Sequence, residues 1–300
     1  MKNFLIVLIS IFTLIGFISF VSVVFNKAFF VYDATLSVNP ELASRFGDFF
    51  GGLIGTLFSI LSVLLLIYTI VNQNNENKKN EIRNHFFKMV DYHNENVKQI
   101  NIPHVEVKKV DKSEVRRAFV VFKIQIKYLL DLVKNLNTDK KYNLTNSEII
   151  DIAYIVFYYG LDDKWIPFIE EKLKKYPNHK ELVADMLRII ESNKDLKLGR
   201  TNQTSLSTYF RNMYNAIKLV HENNYLTQEE KIDLIKIYRA QLSNPELYVL
   251  FFNIASRFGK KWKDNNFIIT YKFIKNIPKD YCDGYNPNDF FKMVYEDEDY

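Results

Sequence analysis

Residues 4–25, FLIVLISIFTLIGFISFVSVVF, and residues 49–71, FFGGLIGTLFSILSVLLLIYTIV, contain no charged side chain. Each is about 22 residues long, roughly 33 Å as an α-helix, which matches the hydrocarbon core of a bilayer. Lipid offers backbone amides no partner, so a crossing stretch must close its hydrogen bonds within itself, as a helix. The two stretches predict a transmembrane hairpin over residues 1–73, with spans at about 4–25 and 49–71. The fold class that follows is mostly α: a two-helix hairpin in the membrane and an α-helical domain outside it.

The flanks give an orientation. Lys2 precedes the first stretch, and the connecting loop sets Lys27 and Arg45 against Asp33, Glu41 and Asp48. Lys78, Lys79, Arg83 and Lys88 follow the second stretch. Because positive flanks stay on the cytoplasmic side, both termini are expected in the cytoplasm and the loop outside. A cleaved signal sequence is the rival reading. The first stretch is longer than the usual apolar region of such a signal and lacks a clear small-x-small cleavage site.

The net charge of +5 resides beyond the hairpin, because the first 71 residues carry three charges of each sign. That mild excess suits an anionic membrane surface and is too small to imply nucleic acid by itself. Cys282 is the only cysteine, which excludes an intrachain disulfide and a thiolate metal cluster. At the start of the second stretch Gly47, just before it, and Gly51, Gly55 and Ser59 within it recur every fourth residue. Such a face lets another helix backbone approach closely, either the first span of the same chain or a second copy.

The polar remainder reads as helices. Ile82, Phe86, Met89, Val90, His93 and Val97 recur at spacings of three and four, an amphipathic stalk over residues 74–102 that ends before Pro103. A domain over residues 103–300 follows. Its predicted helices cover 113–136, 145–160, 165–176, 180–192, 205–222 and 227–242. Residues 227–230, Thr-Gln-Glu-Glu, form a capping box. Asn244-Pro245-Glu246 reads as an N-cap followed by a helix that stops at Gly259. Residues 267–271 fit a helix or a strand, and 289–294 a short element.

The chain carries no Gly-rich phosphate loop and no nucleophile elbow, and no cofactor is expected. His85 and His93 stand eight residues apart, about 12 Å along a helix, too far to share a metal ion. Arg211-Asn212 begins like the Arg-polar-x-x-x-His motif of HEPN ribonucleases, but Ala216 stands where that motif places its histidine. Without it the general acid/base is missing. Two basic clusters are visible: Lys108, Lys109, Lys112, Arg116, Arg117, and Arg257, Lys260, Lys261, Lys263 around Trp262. The second suits an anionic surface or a stacked base; the plainer reading of both is a solvated rim. Arg211, Arg239 and Glu246 are expected either to join three helices through an ion network or to line a site.

The stretches Tyr209-Phe-Arg-Asn-Met-Tyr214, Tyr238-Arg-Ala-Gln-Leu-Ser243, Glu246-Leu247, Phe251-Phe-Asn253 and Phe86-Phe-Lys-Met-Val-Asp-Tyr-His-Asn94 resemble phage abortive infection proteins of the AbiC type. The polar residues of that likeness are His93, Asn94, Tyr209, Arg211, Arg239, Gln241, Glu246 and Asn253. Thr208 stands where the family often has a histidine. The resemblance implies bacterial antiviral defence at the inner membrane and brings no catalytic residues with it. Three readings follow. One is a membrane effector whose hairpins associate into homo-oligomers within the inner-membrane lipid, triggered by infection or by a defence-system partner, protein or nucleoprotein. The second is a membrane-tethered nucleic-acid-binding protein or ribonuclease. The third is a non-enzymatic scaffold for a defence complex.

Overall fold

A computed structural model describes residues 2–25, 40–100, 117–138 and 141–296. It is mostly helical, and no strand occurs among the described residues. The chain divides into two compact units, Met1–Lys78 and Lys79–Tyr300. The basic run Lys108, Lys109, Lys112 and Arg116 and the first residues of the helix predicted over 113–136 lie outside the described residues.

In the first unit, α1 covers Lys2–Phe25. Helix α2, Pro40–Phe49, passes through a π-turn, Phe50–Ile54, into α3, Gly55–Gln99. The connecting loop predicted up to Asp48 is therefore helical from Pro40. Proline at the first position, Glu41 in the first turn and the Arg45–Glu41 pair at 2.7 Å explain the earlier start. The predicted span and stalk are likewise one unbroken helix, because nothing in residues 72–80 removes an amide or demands a left-handed backbone.

Among the described residues one helix, Ser44–Gln99, is long and apolar enough to cross a membrane. Within α1 the apolar stretch of the described residues is the shorter Ile9–Ser19, so the two-span expectation is met by one helix of full length. Leu61 is the single buried side chain between Phe49 and Val71 and, with the half-buried Ile54, Leu65 and Tyr68, marks one covered face; Leu57, Ile60, Leu64, Leu66, Ile67 and Ile70 are exposed over the rest of the helix. The hydroxyls of Ser59, Ser62 and Thr69 donate to the carbonyls four residues earlier at 2.8–2.9 Å. They thus need no water, as an apolar solvent requires. Ile15 and Gly16 of α1 line a small cavity with Ile54, Leu57, Phe58 and Leu61.

The second unit is built on the end of α3 and on α4 (Arg117–Leu136), α5 (Asn146–Tyr159), α6 (Ile166–Leu173) and α7 (His179–Ser192). It continues with α8 (Gln203–His221), α9 (Gln228–Arg239), α10 (Asn244–Ala255) and three short helices: α11 (Lys260–Asp264), α12 (Phe267–Thr270) and α13 (Pro287–Phe290). Helices α4, α5 and α10 pack on one another as the centre. Residues 149–158 of α5 and 246–254 of α10 are buried without interruption. Ile82, Phe86, Val90, His93 and Val97 form the buried stripe of α3, the face that their spacing selects.

The caps account for the boundaries. Thr145 and Thr227 each close a capping box, with Glu148 and Glu230. The cap of α10 is Ser243 rather than Asn244, because Glu246 stands three residues on and accepts from the Ser243 amide at 2.9 Å. That helix ends at Ala255, short of Gly259, and a 3-10 turn, Arg257–Gly259, carries the chain on. A Cβ on Gly259 would stand 2.1 Å from the Ile254 carbonyl oxygen, so the turn admits glycine alone. Residues 267–270 are helical, not a strand: Phe267 and Ile268 are buried while Ile269 is exposed, which alternation would not give.

Candidate functional site

Two arrangements bring the sequence-selected residues together. The first is buried. Glu246, with no exposed surface, accepts hydrogen bonds from the amide and hydroxyl of Ser243 and, at 3.3 Å, from the Tyr209 hydroxyl. His93 Nε2 lies 3.5 Å from Glu246 Oε1. The His93 ring is 4.9 Å from Tyr209 and 5.0 Å from Tyr238. Neither ring nitrogen of His93 has a hydrogen-bond partner among the described residues, nor does the Tyr238 hydroxyl. Burial, with the Glu246 charge adding to it, holds the Tyr238 phenol well above its usual range. These residues fasten α3, α8, α9 and α10 together. His93, Tyr209, Tyr238 and Glu246 have no exposed surface, which suits a structural knot.

The expected ion network of Arg211, Arg239 and Glu246 does not form. Glu246 is held by Ser243, Tyr209 and His93. Arg239 donates to the Lys272 carbonyl at 2.9 Å, and Arg211 is exposed on the other side of α8. The period of 3.6 separates them: Tyr209 and Arg211 differ by two residues and so point about 200° apart. Asn94 is half-buried on α3, and Gln241 is half-buried in the turn after α9.

The second arrangement is a cavity of about 600 Å³ beside α8. Arg211, Tyr214, Asn215 and Lys218 line it, at i, i+3, i+4 and i+7, hence from one face of that helix. Lys261 and Trp262 of α11, Asn265 after it, Asn253 of α10 and Tyr158 of α5 complete much of the wall. Three cations and three amides face the space, and no carboxylate lines it. Lys218 pairs with Glu222 at 3.6 Å. Arg211 and Lys261 have no ion-pair partner among the described residues. Burial raises the Tyr158 phenol, with neighbouring Tyr159 adding to the rise and Arg211 opposing it. Asn253 Nδ2 donates to the buried Tyr154 hydroxyl at 2.9 Å, which fixes its orientation at the cavity floor.

The second basic cluster divides on inspection. Trp262 is only 3 % exposed; its ring packs against Tyr214, Phe267 and Phe273, so it offers no free face to a surface. Lys263 donates to the Ala255 and Ser256 carbonyls at 3.0 and 3.3 Å, capping the end of α10. Lys260 and Lys261 remain exposed. Arg257 is taken up by Asp151: its amide and Nε donate to the carboxylate at 2.7 and 2.8 Å, and Nη1 donates to the Lys172 carbonyl at 2.7 Å. Burial opposes ionisation of Asp151, yet Arg257 and the Tyr176 hydroxyl outweigh it and hold the carboxyl below its usual range. In the first unit, a methyl built on Gly47, Gly51 or Gly55 meets no atom within 4 Å.

Residues 201–282 match the model of a family described as putative phage abortive infection protein. No curated protein and no solved structure matches the chain. The matched segment runs from the loop before α8 to the turn that holds Cys282. Of the residues lining the basic cavity, Tyr158 alone lies outside it. The abortive infection match therefore falls on α8 and α10, which carry Tyr209, Arg211, Glu246 and Asn253, and leaves out α3 with His93 and Asn94.

Proposed function

We propose that the protein is a membrane-anchored antiviral effector of the abortive infection kind. In this reading α1 and the helix through Gly55 cross the bacterial inner membrane as a hairpin, with both termini cytoplasmic. Infection, sensed by the cytoplasmic helical unit directly or through a defence partner, lets hairpins of several copies associate and breach the membrane. The observation that carries the reading is the stretch from Phe49 to Val71, apolar and exposed over most of its circumference, on the same chain as the abortive infection match. Eleven large apolar side chains of this stretch stand exposed. Covering them with lipid or a second copy is worth on the order of 10 kcal/mol, far more than a folded chain leaves unclaimed in water. The open face at Gly47, Gly51, Gly55 and Ser59 gives a second copy room for close approach.

The test is expression in bacteria with a potential-sensitive dye, before and after phage challenge. The membrane potential should collapse with the wild-type chain and persist with Gly51→Leu/Gly55→Leu, which fills the small-residue face. Growth arrest at an intact potential would exclude membrane breach.

A further inference from the structure

We infer that the cavity beside α8 binds a nucleoside phosphate. Three features of one half-open cavity point to this ligand class. The first is charge: Arg211, Lys218 and Lys261 converge on it and no carboxylate lines it. Arg211 and Lys261 are not spent on carboxylates elsewhere among the described residues, so both are available to phosphate oxygens as charge-assisted donors. The second is the wall of rings. Tyr158, Phe210, Tyr214 and Phe258 border the space, and Tyr214 and Phe258 are half-buried with surface left to meet a flat heterocycle.

The third is the set of amides, the groups that read the edge of a base. Asn265 Nδ2 donates to the Tyr214 hydroxyl at 3.0 Å and to the Lys261 carbonyl at 2.8 Å, which leaves its amide oxygen as an acceptor. Asn215 is exposed on the α8 face between the cations. The volume of about 600 Å³ is that of a small-ligand site, generous for inorganic phosphate and suited to a base, a sugar and phosphates together. A polynucleotide would instead need a groove that tracks its backbone.

Binding does not depend on the membrane reading. The further statement, that a nucleoside phosphate is the signal the cytoplasmic unit receives, rests on that reading. The two fail separately: absent binding removes the pocket assignment, whereas an intact membrane potential during arrest removes the effector assignment.

The test uses the purified full-length chain in detergent and titration calorimetry with ATP, GTP, adenosine, inorganic phosphate and a 20-nucleotide RNA. ATP or GTP should bind, with adenosine and inorganic phosphate each at least about tenfold weaker, since each supplies only half of the recognition. Arg211→Ala and Lys261→Ala should each weaken binding about tenfold while the thermal unfolding midpoint stays that of the wild type. Tyr214→Leu should weaken ATP and leave inorganic phosphate unchanged. The inference is overturned by no binding of either triphosphate, or by undiminished binding in the Arg211→Ala/Lys261→Ala chain. It is equally overturned by phosphate binding as tightly as ATP. RNA binding far tighter than ATP, with a steep salt dependence, would replace it with a polynucleotide site.

Discussion

Replacing Glu246 with alanine tests the packing of the second unit where it is most concentrated. The carboxylate receives the Ser243 amide and hydroxyl, the Tyr209 hydroxyl at 3.3 Å and stands 3.5 Å from His93, all with no solvent access. Losing the capping box costs about 1 kcal/mol. Removing an acceptor from buried donors adds roughly 1–3 kcal/mol. The total of about 2–4 kcal/mol lowers the unfolding midpoint of a domain this size by about 10 °C, at roughly 2–4 °C per kcal/mol. Glu246→Gln keeps an amide oxygen in place for Ser243 and gives up the charge beside His93, so it should cost about a third as much. The assay is thermal unfolding of the detergent-solubilised chain followed by circular dichroism. The reasoning fails if Glu246→Ala unfolds within about 2 °C of wild type, or if the glutamine variant is equally damaged.

Other outcomes follow from single contacts. Asp151 has a folded-state pKa below its ordinary value of 3.8, so its contribution to stability is present above that value and lost as pH falls through the lower one. Stability of wild type should therefore drop below about pH 4, and Asp151→Asn should flatten that acid limb in an unfolding series over pH 2.5–6. Burial, with Asp283 reinforcing it, pushes the Cys282 thiol up to about 12, so a maleimide at pH 8 should label the native chain at least tenfold slower than the denatured one. Gly259→Ala places a methyl against the Ile254 carbonyl and should abolish recovery of a folded chain from detergent extracts, while Gly51→Ala, with nothing within 4 Å, should leave unfolding unchanged. Glu230 joins Lys79 at 3.1 Å and Arg83 at 2.8 Å, each partly exposed. A double-mutant cycle on Arg83 and Glu230 should return about 0.5–1 kcal/mol.

Much of the helical frame is legible in the sequence because its signals are local. Thr145 with Glu148 and Thr227 with Glu230 announce two helix starts, and the buried stripe Ile82, Phe86, Val90, His93, Val97 is written in its spacing. Where two local signals compete, geometry decides. Ser243 and Asn244 are both good caps, and the glutamate three residues after Ser243 selects the first. The site is less legible because its contacts span long separations. Asp151 and Arg257 meet across 106 residues, and nothing near either announces the other. A basic cluster in sequence, Arg257 to Lys263, separates in space into a part-buried pair with Asp151, a helix cap and two exposed lysines. Arg211 and Lys261, fifty residues apart, converge on one cavity. Period-3.6 arithmetic could have shown that Arg211, Tyr214, Asn215 and Lys218 share a face; it could not have supplied the wall opposite.

The measurement that bears most directly on the account is the partition of the expressed full-length chain after an alkaline wash of total membranes. Residence of the apolar stretch 49–71 in lipid predicts that the protein stays with the pellet until detergent releases it, and that Leu57→Arg/Leu64→Arg, which sets two charges in the span at about 3 kcal/mol each, moves it to the wash. Recovery of the wild-type chain in the detergent-free supernatant would contradict a membrane anchor and with it the proposed function.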